Sequence, residues 1–250
     1  MAFAHDGEPP SLVIDAGTGL RRTSGLLAGN AFRGTILLSH LHWDHVHGLP
    51  FFAAGAQDGH RVDVALPAID GDALSTLARG LSPPHFPIAP DQLGEGWRFS
   101  ALEEGLRPVE GFTVGVREIP HKGGRTFGFR VSDGKHSIAY LADHFPLAAG
   151  PGPEGFGAYH EAALALCAGV DVVVHDSQFL ASQFPKVAYL GHSAVEYAIG
   201  LAATAHAKAL VLFHHAPDRT DDELDAIVES TRDAPLPVTA AVEGAKLGFP

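Results

Sequence analysis

The stretch "ILLSHLHWDHVHGLP" (36–50) is the most informative part of the chain, because four histidines and one aspartate occupy eight positions directly after an apolar run. His40 and His42 are two residues apart, so no helix places both on one face, and a turn leaving a strand is expected. In such a turn this pair can chelate one metal ion. Asp44 and His45 lie too far round the turn to complete the same tetrahedron, so a second ion beside the first is expected to take them.

Potential metal ligands also stand at the ends of other predicted strands, namely Asp15, His40, His121, Asp143, Asp176 and His214. Strand ends and the loops after them are where a rigid sheet presents functional groups. His121, Asp143 and His214 are available to complete two sites, ideally with one carboxylate that bridges both ions. The alternative is a histidine-rich loop that is solvated or hydrogen-bonded and binds nothing.

Alternation of hydrophobic and polar residues predicts an α/β chain. The predicted strands cover 11–17, 35–40, 62–67, 112–120, 127–133, 137–143, 170–176, 209–215 and 237–244, and the predicted helices cover 72–80, 158–168, 193–207 and 220–232. No helix separates the strands between 112 and 143. This favours two sheets with helices outside them over a doubly wound sheet.

Composition limits the function classes. The 250 residues are most simply one domain over 1–250, and the net charge of −12 should repel polyanions. No apolar run is long enough to span a bilayer, and the first residues do not form a secretory signal. The single cysteine, Cys167, excludes an internal disulfide, which suits a cytoplasmic location.

Five ordered motifs resemble those of the metallo-β-lactamase superfamily, and in particular its ribonuclease Z and cyclic phosphodiesterase branch. The motifs are "VIDAG" (13–17), "HLHWDH" (40–45), "IPHKGGRTFGFRV" (119–131), "YLADH" (140–144) and "LVLFHHAPD" (210–218). The segments "VDVVVHDSQF" (170–179) and "GHSAVEYAIGLAATA" (191–205) are similar to that branch as well. The resemblance implies an αββα sandwich with a dinuclear metal site at one edge of the paired sheets.

Carried onto this sequence, the resemblance implies two divalent transition metal ions, most simply Zn²⁺, with Mn²⁺ or Fe²⁺ as alternatives. The implied ligands are His40, His42 and His121 for the first ion, Asp44, His45 and His214 for the second, and Asp143 as the bridge. Asp15 is expected to orient the histidine loop through hydrogen bonds. His192, Asp44 and Asp143 are the candidate catalytic residues, with His192 near the scissile phosphate. A polar residue preceding a helix is the alternative for His192.

Several neighbouring residues have no role assigned by the motifs. His215 leaves the register of the last motif ambiguous, although spacing from the strand favours His214 as the ligand. His175 and Asp176 are expected to support the wall of the site, and His85 lies in a Pro-rich loop. Lys122 and Arg125 follow the ligand His121 and could meet a phosphate, but exposed loop cations are more common.

Two departures from the family pattern bear on the substrate. Only 22 positions separate His121 from Asp143, so the long arm with which ribonuclease Z grips tRNA does not fit there. Only fourteen residues precede Asp15. Either more of the protein precedes these residues, or the first sheet lacks edge strands and needs cover, as from the partner in a homodimer.

The favoured hypothesis is a phosphodiesterase for a small, possibly cyclic, phosphodiester, in which a metal-bridging hydroxide attacks phosphorus. Alternatives are hydrolysis of a lactone, thioester or sulfate ester, a ribonuclease Z-like tRNA 3′ endonuclease, and a non-enzymatic metal-binding sensor. The expected partner is a small-molecule substrate, with neither a membrane nor a nucleic acid polymer involved.

Overall fold

The computed structural model describes residues 1–249 and divides into two compact units. The first contains Met1–Glu104 and Pro108–Gly111, and the second contains Gly105–Arg107 and the chain from Phe112 onward. The expectation of one domain over 1–250 stays a prediction.

The first unit is built on a five-stranded sheet in the order β1-β2-β3-β4-β5. The strands are β1 (Ala2–Phe3), β2 (Leu12–Ile14), β3 (Arg33–Leu37), β4 (Arg61–Leu66) and β5 (Trp97–Ala101). The pair β1 and β2 is antiparallel, and the other neighbours are parallel. The helices are α1 (Leu20–Thr23), α2 (Trp43–Val46) and α3 (Ala73–Ala78), with 3-10 turns at Ser24–Leu27, Leu49–Phe51, Ala53–Gly55 and Pro90–Gln92.

Alternate residues of the strands anchor this first sheet in the hydrophobic core of its unit. In β4, Val62, Val64 and Leu66 are buried while the residues between them are half-exposed, as a period of two requires. Ile36 and Leu38 belong to the same hydrophobic core. Because β2, β3 and β4 run parallel, the segments after β2 and β3 leave from the same edge of the sheet. That edge carries Asp15 and the histidine motif.

The second unit is built on a seven-stranded sheet in the order β12-β11-β10-β9-β8-β7-β6. The strands are β6 (Gly105–Val109), β7 (Phe112–Glu118), β8 (Phe127–Ser132), β9 (Ser137–Leu141), β10 (Val172–Asp176), β11 (Leu210–Phe213) and β12 (Val238–Ala240). From β7 to β9 the pairing is antiparallel, and from β9 to β12 it is parallel. The helices are α4 (Glu161–Cys167), α5 (Phe184–Val187), α6 (Val195–Thr204) and α7 (Asp221–Ser230), with 3-10 turns at Pro146–Ala149, Pro153–Gly155 and Ala188–Leu190.

The core of the second unit forms where α4 and α6 pack on this sheet. Leu166 of α4 and Leu201 of α6 are buried in one cluster with Val173 and Leu212 from the sheet. Every residue of β10 is buried, which is typical of a strand at the centre of a parallel sheet. Asp143, Asp176 and His214 follow or end parallel neighbours β9, β10 and β11, so they meet at one edge.

The nine strands and four helices predicted from the sequence are all present, most of them with shorter bounds; β3 and β4 begin one or two residues earlier than predicted. The elements not predicted from the sequence are β1, β5, β6, α1, α2 and α5. Strand β6 was missed because it contains Pro108, which cannot donate to a ladder, and it is tolerated because β6 is at the edge of its sheet. Within residues 1–249, no helix is both long and apolar enough to cross a membrane.

Candidate metal centre

Asp15 organises the histidine motif in the first unit. Its Oδ1 accepts a hydrogen bond from the backbone N–H of Ser39 at 2.7 Å, and its Oδ2 accepts from the Ser39 hydroxyl at 2.9 Å. The same Oδ2 lies 2.8 Å from Nδ1 of His45. Asp15 has a positive φ of 63°, which is rare for a residue other than glycine and is typical of a functional turn. The hydrogen bonds orient the motif, as the family resemblance implies.

The electrostatics of Asp15 follow from these contacts. Burial alone would raise the pKa of the Asp15 carboxyl, but the neighbouring His45 and the hydrogen bonds from His45 and Ser39 outweigh it. The net effect holds the pKa of Asp15 below its ordinary value. The carboxylate is therefore ionised, and it accepts the proton on Nδ1 of His45. This leaves Nε2 of His45 as the ligating atom.

Close backbone approach fixes the same loop. The backbone N–H of Ala16 donates to the carbonyl of His45 at 2.8 Å, and the N–H of Gly48 donates to the carbonyl of Ala16 at 2.7 Å. A Cβ at Gly17 would collide with the backbone of Asp44, and one at Gly48 would collide with the backbone of Gly17. These two glycines are required for the loops to meet.

The side chains of the motif converge in this loop. The ring of His40 lies 4.4 Å from that of His42 and 4.2 Å from that of His45, measured between centroids. Nε2 of His45 lies 3.3 Å from Oδ2 of Asp44. One feature differs from the expected irregular turn: Asp44 and His45 are in the short helix α2. Asp44 and His45, which are both assigned to the second ion, nonetheless keep these two atoms close together.

In the second unit, the buried Asp143 lies between two imidazoles. Its Oδ2 is 3.4 Å from Nε2 of His121, and its Oδ1 is 3.5 Å from Nε2 of His214. Two atoms bound to one zinc ion at about 2.0–2.2 Å and a tetrahedral angle lie about 3.4 Å apart. Each oxygen of Asp143 thus faces a different imidazole at the separation expected for two ligands of one ion. A carboxylate in this position is suited to bridging two ions.

Both imidazoles beside Asp143 are oriented through Nδ1. His121 lies with Nδ1 at 2.9 Å from the carbonyl oxygen of Gly191, to which it can donate. Nδ1 of His214 lies 3.2 Å from Nε2 of the Gln178 side-chain amide, and this contact orients the ring. His214 also has a positive φ of 54°, so the backbone there is held in a sparsely populated conformation. In His121 the donation from Nδ1 leaves Nε2 for a metal ion. In His214 it is Nε2 that faces Asp143.

A carboxylate–histidine pair lies beside this group. Nδ1 of His192 is 2.9 Å from Oδ2 of Asp176, a residue with no exposed surface. Asp176 also accepts from the backbone N–H groups of His144 and Gln178, so its position is fixed. The sequence predicts for Asp176 only a supporting place in the wall of the site. The only sign of its role in the sequence is its position at the end of a strand. Its partner, His192, is sixteen residues further along the chain, so no local pattern connects the two.

His192 is also near the ligands in space. Atoms of Asp143, His192 and His214 lie within 4.8 Å of one another, so the three could hold an ion. However, Nδ1 is the His192 atom at 3.8 Å from Asp143, and the hydrogen bond to Asp176 already engages it. This geometry favours proton transfer by His192 over metal binding.

Other residues near the motifs have different neighbours. His215 lies with Nε2 at 3.3 Å from the carbonyl of Ala241. His144 and His175 are fully buried, and their rings are linked at 3.0 Å between Nδ1 and Nε2. Burial lowers the pKa of both imidazoles, so the pair is neutral.

The two cations after His121 are held by local contacts. Lys122 donates to the carbonyl of Tyr189 at 2.8 Å and lies over the ring of the same residue. Arg125 donates to Glu118 at 2.9 Å. Neither contact points to a phosphate site. His85 is exposed in the 82–90 loop.

Comparison with known proteins agrees with this geometry. The family model described as the β-lactamase superfamily domain matches residues 11–215. Ribonuclease BN of Salmonella paratyphi B is 29% identical over 267 aligned residues, covering 89% of this chain and 84% of that protein.

Two solved structures have the same fold. The metallo-β-lactamase fold protein YhfI from Bacillus subtilis has a TM-score of 0.69 at 19% identity. The alignment covers 97% of this chain and 93% of the YhfI chain. A diphosphatase of the PhnP family has a TM-score of 0.64 at 19% identity. The alignment covers 99% of this chain and 82% of the diphosphatase chain.

The α/β class with two sheets and the metallo-β-lactamase fold predicted from the sequence are therefore confirmed, and the histidine and aspartate groups are suited to binding metal ions. The chain belongs to the metallo-β-lactamase superfamily and is a metal-dependent hydrolase of its ribonuclease Z-like branch.

Proposed function

We propose that this hydrolase is a dinuclear phosphodiesterase that cleaves a small, possibly cyclic, phosphodiester. The observation that carries the proposal is Asp143, whose two oxygens face the Nε2 atoms of His121 and His214 at 3.4 and 3.5 Å. Phosphodiester cleavage needs charge neutralised at the non-bridging oxygens and a nucleophile aligned with the leaving oxygen. Two ions about 3.5–4 Å apart are a recurrent solution to that requirement.

The proposed metals are two divalent transition ions, with Zn²⁺ favoured and Mn²⁺ or Fe²⁺ also compatible. The proposed ligands are His40, His42, Asp44, His45, His121, Asp143 and His214. A set of imidazoles and carboxylates without a thiolate suits all three ions. When bound, the ions supply a water-derived nucleophile at neutral pH and neutralise charge on the phosphate.

In this proposal His192 supplies the proton for the leaving oxygen. Asp176 keeps Nδ1 of His192 protonated and fixes the ring, so Nε2 is the atom that exchanges a proton with the substrate. Asp44 and Asp143 are assigned to catalysis only through the metals they hold. General acid groups of this kind typically contribute about 10²–10⁴-fold to the rate.

The small size of the substrate is inferred from three observations. The segment between His121 and Asp143 consists of β8, β9 and short connections, with no inserted arm. The chain has 17 basic residues against 29 acidic ones, which disfavours a polyanion. One structure with the same fold is described as a diphosphatase.

A second candidate is RNA 3′ processing, favoured by the similarity to ribonuclease BN. The same two-metal chemistry would serve it, but the charge of the chain opposes binding of a folded RNA. Hydrolysis of a lactone, thioester or sulfate ester is the remaining enzymatic alternative. It requires the same nucleophile without a phosphate.

The deciding experiment measures turnover of bis-p-nitrophenyl phosphate beside lactone, thioester and sulfate ester panels, with metal content determined on the same samples. We expect the diester to be turned over, and chelation to abolish this until Zn²⁺ is restored. Asp143→Ala should lose both activity and metal. Asp58→Ala, which removes an exposed carboxylate in another loop, is the matched control. Faster turnover of a lactone, thioester or sulfate ester than of the diester would overturn the assignment to phosphodiesters.

We also infer a cytoplasmic location. The single cysteine, Cys167, excludes an internal disulfide, which suits a reducing compartment. A homodimer stays a prediction, and its test is the mass of the protein in solution by light scattering.

A further inference from the structure

Trp43 combines exposure with a position inside the histidine motif. It is exposed over 70% of its surface, whereas the other tryptophan, Trp97, is buried and donates from Nε1 to the carbonyl of Gly55 at 2.8 Å. A single exposed apolar side chain is unremarkable on its own. Trp43, however, stands between His42 and Asp44, both proposed metal ligands.

The ring of Trp43 is held in place. It stacks on His47, with 5.2 Å between centroids and 22° between planes. The backbone N–H of His47 also donates to the carbonyl of Trp43 at 2.9 Å, within the turn of α2. Since His47 covers one face, the exposed surface is the opposite face and the ring edge. A ring that is already ordered loses little entropy when it stacks on a ligand.

The position of Trp43 limits what can reach it. Consecutive Cα atoms are about 3.8 Å apart, so the indole is carried on backbone adjacent to two ligands. A ligand that uses the ring would extend to it from these ligands through a planar group joined by a sugar to the phosphate. Stacking on an aromatic side chain is also tolerant of base identity, because every base has a π-face.

We propose that Trp43 is a specificity-determining residue that stacks on the nucleobase of a small nucleotide substrate. This rests on the proposed phosphodiesterase function and adds the substrate class. A nucleic acid polymer is disfavoured because the chain has a net charge of −12, and Lys122 and Arg125 are engaged in local contacts. A single nucleotide needs no extended basic surface.

The first test is a binding measurement that does not depend on turnover. AMP and ribose 5-phosphate are titrated into the zinc-loaded protein while tryptophan fluorescence is followed. We expect AMP to quench the emission and to bind at least about tenfold more tightly than ribose 5-phosphate, in line with aromatic–base stacking. In Trp43→Phe only Trp97 emits, so the AMP quench should disappear. Equal affinities for the two ligands would overturn the proposal.

The second test compares 2′,3′-cyclic AMP with glycerol 1,2-cyclic phosphate, which lacks a base. Trp43→Leu should lower kcat/KM for the nucleotide about tenfold or more and leave the glycerol ester within about twofold. Trp43→Phe should retain most of the nucleotide activity. Phe51→Leu, which changes another exposed aromatic residue of the same unit, should alter neither substrate.

The outcomes separate the two proposals. If neither diester is cleaved, the phosphodiesterase function fails, while the fluorescence titration still decides whether Trp43 stacks on a base. If both diesters are cleaved and Trp43→Leu lowers them equally, the phosphodiesterase function stands and the role of Trp43 is wrong. An emission maximum that shifts with protein concentration would mean that a second copy covers Trp43, which also contradicts the proposal.

Discussion

His214 and His215 are adjacent in the sequence, but their rings have different neighbours. Nε2 of His214 is 3.5 Å from Asp143, while Nε2 of His215 faces the carbonyl of Ala241. The positive φ of His214 turns the chain at this point, so that consecutive side chains diverge.

This difference predicts the metal content of two alanine variants. His214→Ala should lose about one equivalent of metal, because a tetrahedral site with a ligand removed binds its ion weakly. His215→Ala should keep its full content. Elemental analysis after dialysis gives the answer. Loss of metal from His215→Ala alone would mean that His215, and not His214, is the ligand.

The contact between Asp176 and His192 predicts that the loss of activity in a variant of Asp176 depends on the leaving group of the substrate. Asp176→Asn keeps the size of the side chain but removes the carboxylate that accepts from Nδ1 of His192. We expect a loss of at least about tenfold for a diester with an alkyl leaving group, which needs a proton. Loss for p-nitrophenyl esters should be much smaller, because p-nitrophenolate leaves without protonation. Equal losses on both substrates, or a fall in metal content, would contradict the role of His192 in proton transfer.

Much of the candidate site follows from residue type and spacing. The seven ligand candidates could be named because they end strands or form a dense motif, and such positions are visible in the sequence. Asp176 could not be paired with His192 in this way. Their contact depends on how the chain after β10 returns to the sheet, and no local pattern encodes that path.

At the scale of elements, α7 shows how a short sequence fixes a boundary. Thr220 and Glu223 form a capping box, in which Oγ1 of Thr220 accepts from the N–H of Glu223 at 3.3 Å. The Glu223 carboxylate accepts in return from the N–H of Thr220 at 2.8 Å. This satisfies two backbone donors that have no partner within the helix.

Loss of this cap predicts a modest change in stability. Thr220→Ala should lower the free energy of unfolding by about 1 kcal/mol. In a chain of this size that corresponds to a fall of about 2–4 °C in Tm, measured by calorimetry. Thr220→Ser, which retains the hydroxyl, is the matched control. A fall as large in the serine variant would show that the methyl group, rather than the cap, is responsible.

The capping box also has a pH dependence. The hydrogen bond from the backbone of Thr220 holds the pKa of Glu223 below its ordinary value. The stabilising contribution of Glu223 is therefore present at neutral pH, above the pKa of the unfolded chain. It is lost as the pH falls through the lowered pKa of the folded state.

Elements with a strong periodic pattern could be predicted, and short or irregular ones could not. Strand β10 begins with three consecutive valines, and α7 has both a cap and acidic residues in its first turn, so both could be recognised in the sequence. Helix α2 is a single turn whose residues have no amphipathic period, and β6 contains a proline. For these, tertiary contacts rather than local preference decide the conformation.

At the scale of the whole molecule, net charge is the strongest constraint on the substrate. A polyanion binds by releasing counterions onto lysine and arginine, and the chain carries 17 of these against 29 acidic residues. Bound metal ions help with one phosphate but cannot supply an extended basic surface.

We therefore expect poor cleavage of precursor tRNA and efficient cleavage of a small diester. Steady-state rates for a precursor tRNA and for 2′,3′-cyclic nucleotides, measured at several salt concentrations, make the comparison. Ribonuclease BN, to which the chain is similar, provides the positive control for RNA. Efficient tRNA processing that weakens steeply as salt rises would favour the nuclease function instead.

Pro108, in the edge strand β6, has a consequence for behaviour under stress. The neighbouring Leu106 is 76% exposed, and an exposed apolar edge is a template on which strands of other molecules can assemble into fibrils. Pro108 interrupts the row of N–H donors that such growth requires, and Arg107 adds a charge beside it. Heated or agitated solutions of this protein should therefore not seed cross-β fibres from this edge. A valine at position 108 would restore the missing donor and open the edge to addition of strands.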